Sequence, residues 1–169
     1  MKNRQKFLIS MAILLLVGAG AVSAQEKFES DIIKTGAGEL KITFIGHGTL
    51  MFTFGGKVIH VDPVAQYADY GQFPKADLVL IAGDLFELER VTPDTFEFLR
   101  QQFENLGGIR VFISPGNHDP YAKGSPYREE AWPKNVCIFR AEEFESIELA
   151  EMGVRVTGFG FAHSQLESH

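Results

Sequence analysis

ADLVLIAGDLFE, residues 76–87, and IRVFISPGNHD, residues 109–119, decide the fold. Each is an apolar run with little alternation, 76–82 and 109–114, that ends in a loop rich in chemically able groups. Such runs read as buried parallel strands. Between them, residues 92–106 read as a helix. Thr92 is a suitable N-cap, Pro93 suits the first helical position, and Gly107 suits the C-terminal cap. Phe96, Leu99, Phe103 and Leu106 recur on one helical face. A strand–helix–strand unit makes its strands parallel, so both loops leave the same sheet edge, where open α/β sheets place their ligands. Asp84, Asn117, His118 and Asp119 are therefore expected together, a set able to ligate metal and move protons.

Either loop alone has an ordinary explanation. Gly-Asp after a strand is commonly a turn in which the Asp bonds its own backbone. The functional reading rests on finding both at the same ends of consecutive strands.

GDLFE followed by a strand ending PGNHD resembles the calcineurin-like metallophosphoesterases, whose blocks include GD-x-x-D/E and GNH-D/E. The likeness runs over residues 76–169 and includes NHDPYAKGSPY, AWPKNVCIF and GVRVTGFGFAH, text similar to the exonuclease-like branch. It implies a metal-dependent hydrolase of phosphomono- or phosphodiesters, with a small phosphoester substrate and divalent ions (Mn, Fe, Zn or Mg). By the same resemblance Asp84 bridges two ions, Asn117 ligates one, His118 protonates the leaving oxygen and Asp119 orients the imidazole. The chemistry is consistent: paired hard cations clamp the attacking and leaving oxygens, and a carboxylate-held His is an acid suited to neutral pH.

The family also uses an Asp-x-His and a His-x-His, and this chain has neither. Its five histidines are His47, His60, His118, His163 and His169. Region 76–169 is accordingly expected to be truncated relative to the family. Asp62, ending the strand VIHVDPV, is a further candidate ligand, although Val64 stands where the His would be. Asp62-Pro63 equally suits the opening of a turn. Glu87, His47 and His163 are secondary candidates. His60, between Ile59 and Val61, reads as a strand-surface histidine.

Upstream, residues 40–74 resemble the opening hairpin of metallo-β-lactamase-fold hydrolases. ITFIGH reads as a first strand, Gly55-Gly56 as a hairpin turn, and VIHVDP as the next strand. That family's H-x-H-x-D-H is replaced here by AGDLFE. Together the resemblances imply an α/β fold, a partial four-layer α/β/β/α sandwich with a mixed sheet and one βαβ unit carrying the site. Two alternatives stand beside the phosphoesterase reading: a metallo-β-lactamase-fold hydrolase, and a catalytically inactive truncated or chimeric chain.

At the N-terminus, Lys2, Arg4 and Lys6 precede an apolar run and the sequence Val22-Ser23-Ala24. This reads as a signal peptide over 1–24 and predicts a periplasmic or secreted protein with no stable membrane anchor after cleavage. Residues 25–169 are then expected to form one compact domain, built from a hairpin region, 25–75, and a phosphoesterase-like region, 76–169. The first 24 residues hold three of the 16 basic side chains and none of the 22 acidic ones, leaving the remainder at −9. That charge disfavours non-specific nucleic-acid binding, which the exonuclease-like resemblance would otherwise suggest. One cysteine, Cys137, allows no internal disulfide. Residues 25–39 read as a loose polar lead-in, and Tyr121, Tyr127 and Trp132 as candidate stacking surfaces for substrate, with packing the first reading for Trp132. The sequence leaves oligomeric state open.

Overall fold

The computed structural model describes residues 28–140 and 142–163. The expected export segment, 1–24, lies outside them. The chain builds a mixed sheet of seven strands in sequence order: β1 (Ser30–Thr35), β2 (Gly38–Gly46), β3 (Thr49–Phe54), β4 (Lys57–Val61), β5 (Leu78–Ile81), β6 (Arg110–Ile113) and β7 (Val136–Ile138). β1 to β4 are antiparallel neighbours, and β4 to β7 are parallel. Gly55 and Gly56, both at positive φ, close the two-residue turn from β3 to β4, a conformation that excludes most other residues. The hairpin expected from the sequence is therefore formed.

Helix α1 (Pro93–Asn105) makes the crossover from β5 to β6. Thr92 caps it through its side chain, which accepts from the Thr95 amide, and Gly107 at φ +62 turns the chain out of it. Its Phe96, Leu99 and Phe103 are buried, and Leu99 and Phe103 pack against Val79, Val111 and Ile113 of the sheet. Burying three such side chains contributes roughly 1.5–3 kcal/mol each relative to leaving them exposed. A one-turn helix, α2 (Pro126–Glu129), lies in the connection from β6 to β7.

The opposite sheet face is covered in part by a separate hairpin, β8 (Glu145–Leu149) and β9 (Val154–Gly158). Leu149 and Val156 of this hairpin join Leu78, Phe112 and Phe139 in a second apolar cluster. Among the described residues the layers are thus helix, sheet and hairpin.

Two expectations change here. The lead-in is not loose: Ser30–Thr35 is a strand, pairing with β2 from Ser30–Thr43 to Thr35–Gly38. His60 is not on the surface but buried. The long connection from β4 to β5 folds Tyr67, Tyr70 and Phe73 over the sheet, beside Ile45, Met51 and Val58. The His60 ring lies 5.4 Å from that of Tyr70 and 6.2 Å from that of Phe73.

Candidate functional site

The ends of β4, β5 and β6 define one edge. Because these strands run parallel, Asp62, the 83–87 loop and the 115–119 loop all emerge there. The turn between β2 and β3 joins them, since Leu50 pairs with Val61 and the Thr49 hydroxyl donates to the Asp62 carbonyl at 2.7 Å. The three non-glycine residues at positive φ among those described, His47 (45°), Asp62 (44°) and Asp84 (55°), all sit on this edge. Left-handed backbone costs an L-residue energy, least for Asp and Asn, and tends to collect where geometry serves function.

Asp62 leaves β4 with its amide donating to Leu80 and its carboxylate accepting from the Ala82 amide at 2.7 Å. Partial burial raises its carboxyl above the usual range, the Ala82 bond opposes this, and the negative charge of Asp84 adds to the rise. Asp62 and Asp84 are thus electrostatic neighbours, and neither is in an ion pair among the described residues.

The two loops are joined bond by bond. The His118 amide donates to the Asp84 carboxylate at 3.2 Å, and the Leu88 amide to the His118 carbonyl at 3.0 Å. Close approach requires Gly116, where a β-carbon would lie 2.8 Å from the Asp84 nitrogen and collide with its Oδ1. Asp84, Asn117 and His118 are all exposed at the resulting junction.

Expectation and structure part company at Asp119. Its side chain is fully buried. Oδ1 accepts from the amides of Asp84 (3.0 Å) and Gly116 (2.7 Å), and Oδ2 from the Leu85 amide (2.7 Å) and the Tyr127 hydroxyl (2.7 Å). A carboxylate offers about four lone-pair positions, and here all are filled, leaving none for His118. The imidazole is held instead by Glu87, with Nδ1 3.0 Å from Oε1 and 3.1 Å from Oε2. That bond, more than any other influence, raises the His118 pKa; the charges of Glu87, Asp84 and Asp119 add to it against slight desolvation. Glu87 stands three residues after Asp84 in GDLFE, and that spacing was the signal for it.

The other histidine candidates make their contacts with different partners. His47 has its ring 5.0 Å from that of Tyr67, and His163 faces Glu142 at 3.7 Å. Tyr127 is buried, so it presents no stacking surface to a substrate, and Trp132 packs against Phe96, Phe103 and Tyr127.

The profile of the calcineurin-like phosphoesterase family matches residues 42–167, and the chain belongs to that family. The match begins inside β2, so it takes in the β2–β4 hairpin as well as the two loops. Over 90 residues the chain is 36% identical to an uncharacterized metallophosphoesterase, YhaO, of Bacillus subtilis, covering 52% of this chain and 22% of that protein. The chain thus spans about a fifth of that relative's length. A solved structure of a putative metal-dependent hydrolase from Parabacteroides distasonis is similar at 28% identity and a TM-score of 0.43, over 70% of this chain and 46% of that one.

The family uses divalent metals, and the donors present fit such an ion in part. Asp62, Asp84 and the Asn117 carboxamide are hard oxygen donors on one edge, and the two carboxylates lack a compensating cation. No group of three or more His, Cys, Asp or Glu side chains suited to a metal is present among the described residues.

Proposed function

We propose that this chain carries the metal-dependent phosphoester-cleaving site of a calcineurin-like phosphoesterase, with small phosphomono- or phosphodiesters as substrates. The junction of the 83–87 and 115–119 loops carries the reading, because it sets Asp84 against a His118–Glu87 pair on the edge that Asp62 shares. Asp62, Asp84 and Asn117 would hold a divalent ion. Such an ion, when bound, supplies positive charge for the oxygens of a phosphoryl group in transfer. The chain's own part is proton management. His118, whose protonated form is favoured by its bond to Glu87, is exposed and able to donate to a leaving oxygen. Glu87 fixes the ring's orientation and stabilises its charged form.

Export through the 1–24 segment and a periplasmic or secreted location belong to the same reading, supported by the basic, apolar and small-residue order of that segment. Protein recovered from a periplasm should begin at Gln25; recovery of the uncleaved chain from membranes would count against export. We retain the likeness of residues 40–74 to metallo-β-lactamase-fold hydrolases as a statement about their text, supported by the Gly55-Gly56 hairpin.

The deciding experiment is turnover of an activated phosphodiester with and without Mn²⁺. Hydrolysis that requires the ion and disappears in Asp84→Asn supports the proposal. Equal rates for both proteins, with no ion uptake by calorimetry, would establish the inactive-chain alternative.

A further inference from the structure

We propose that Tyr127 is a positioning residue for this site, acting through Asp119 to hold the 83–87 loop against the 115–119 loop. The inference rests on the function proposed above. Asp119, itself in the 115–119 loop, takes main-chain donors from both loops: Asp84 and Leu85 from one and Gly116 from its own. Three of its four bonds come from main-chain amides, whose positions the loops themselves determine. The fourth comes from the Tyr127 hydroxyl, the one donor that does not belong to either loop.

Tyr127 is well placed to act as a fixed point. Its backbone sits in the first turn of α2, where its amide donates to the buried Ser125 hydroxyl at 3.3 Å. Its ring is stacked on Trp132 with centroids 5.3 Å apart, and lies 4.9 Å from the ring of Phe86 in the 83–87 loop. Trp132 in turn donates its indole N–H to the Pro126 carbonyl at 3.0 Å and packs edge-on against Phe96 of α1. The hydroxyl is therefore anchored to the helix layer, while Asp119 belongs to the loop layer. Burial and the adjacent Asp119 charge push the Tyr127 pKa far up, so the group remains a phenol donor throughout the working range.

Loss of the hydroxyl alone would leave the buried Asp119 carboxylate on its three main-chain donors, with Oδ2 held by the Leu85 amide alone and its orientation less tightly fixed. The consecutive amides of Asp84 and Leu85 are what hold Asp84 in its left-handed turn, so a turning carboxylate re-aims the Asp84 side chain. Nothing in this chain requires Tyr127 to touch substrate.

The test compares Tyr127→Phe, which keeps the ring, with Trp132→Phe, which loosens the same packing but leaves the hydroxyl bond. In metal-free protein, amide spectra read the clasp directly. The Asp84, Leu85 and Gly116 N–H groups should be shifted downfield and slow to exchange in wild type, and should lose both features in Tyr127→Phe. Mn²⁺ affinity by calorimetry should fall about tenfold in Tyr127→Phe, the scale expected when an outer support of a metal ligand is removed. Trp132→Phe should lower the melting temperature while keeping the amide signature and an affinity within about twofold of wild type. Unchanged amides and affinity in Tyr127→Phe would overturn the inference. So would an equal loss in Trp132→Phe, which would make Tyr127 a core residue and nothing more. Failure of wild type itself to bind Mn²⁺ would overturn the function on which the positioning role depends, and the metal-free amides would still report on the clasp.

Discussion

His60 shows how little a residue's own neighbours in sequence say about its surroundings. Ile59-His60-Val61 alternates as any edge position would, yet the ring is buried, with no hydrogen-bond partner for its Nε2 among the described residues. Burial lowers its pKa below the ordinary 6.5, against a hydrogen bond to the Pro74 carbonyl. The unfolded chain therefore binds a proton more readily than the folded one as the pH falls through 6.5. Stability from this residue is complete above that value and is lost below it, toward the lowered folded value. Urea midpoints should fall between pH 7 and about pH 5, and His60→Phe, which keeps an aromatic ring beside Tyr70 and Phe73, should show a shallower fall. At the junction, His118→Ala should slow esters with poor leaving groups by about 10²–10⁴-fold and spare nitrophenyl esters, which leave with little need of a proton. Glu87→Gln should reproduce the direction of that effect at smaller size. Steady-state rates on the two ester types check both.

Among elements, those written in local signals were legible and those defined by partners were not. α1 could be delimited because Thr92, Pro93 and Gly107 each have a mechanical reason to sit at a helix end. β5 and β6 followed from apolar runs, and the shared edge followed from the crossover between them. β1 was missed because all six of its residues are exposed, so no buried alternation marks it. At the site, the convergence of Asp84 with His118 was readable from topology. The exchange of partners between Glu87 and Asp119 was not, since it depends on Tyr127 arriving from α2 to occupy Asp119. The contact between the two loops can be tested at Gly116. Gly116→Ala places a methyl against Asp84 and 3.2 Å from Asp119 Oδ1, so the loops must part. We expect a loss of about 1–3 kcal/mol by denaturant titration, the usual range for overpacking, with loss of ion uptake.

The molecule as a whole is a seven-strand sheet dressed unevenly. α1 and the β4–β5 connection cover one face, and β8–β9 cover only the part of the other that includes Leu78 and Phe112. On β1 and β2, Ile32, Ile33 and Phe44 are 59%, 46% and 43% exposed among the described residues. Among the described residues β1 pairs on one side alone, so apolar surface and backbone donors without a strand partner coincide at one border. Such borders seed intermolecular strand pairing, and charge is the usual remedy. Ile33→Lys is expected to raise the temperature at which light scattering begins, without altering ion uptake at the far side of the sheet.

The left-handed backbone at Asp62 and Asp84 has a further implication for heredity and engineering. Asn or Gly would relieve the conformation, and either would also remove the repulsion between two carboxylates. Heat resistance and chemistry are therefore set against each other at the same two codons. A library of this chain selected only for surviving heat should drift toward Asn or Gly at positions 62 and 84. Under the function proposed above, its survivors should bind Mn²⁺ more weakly than the parent by calorimetry.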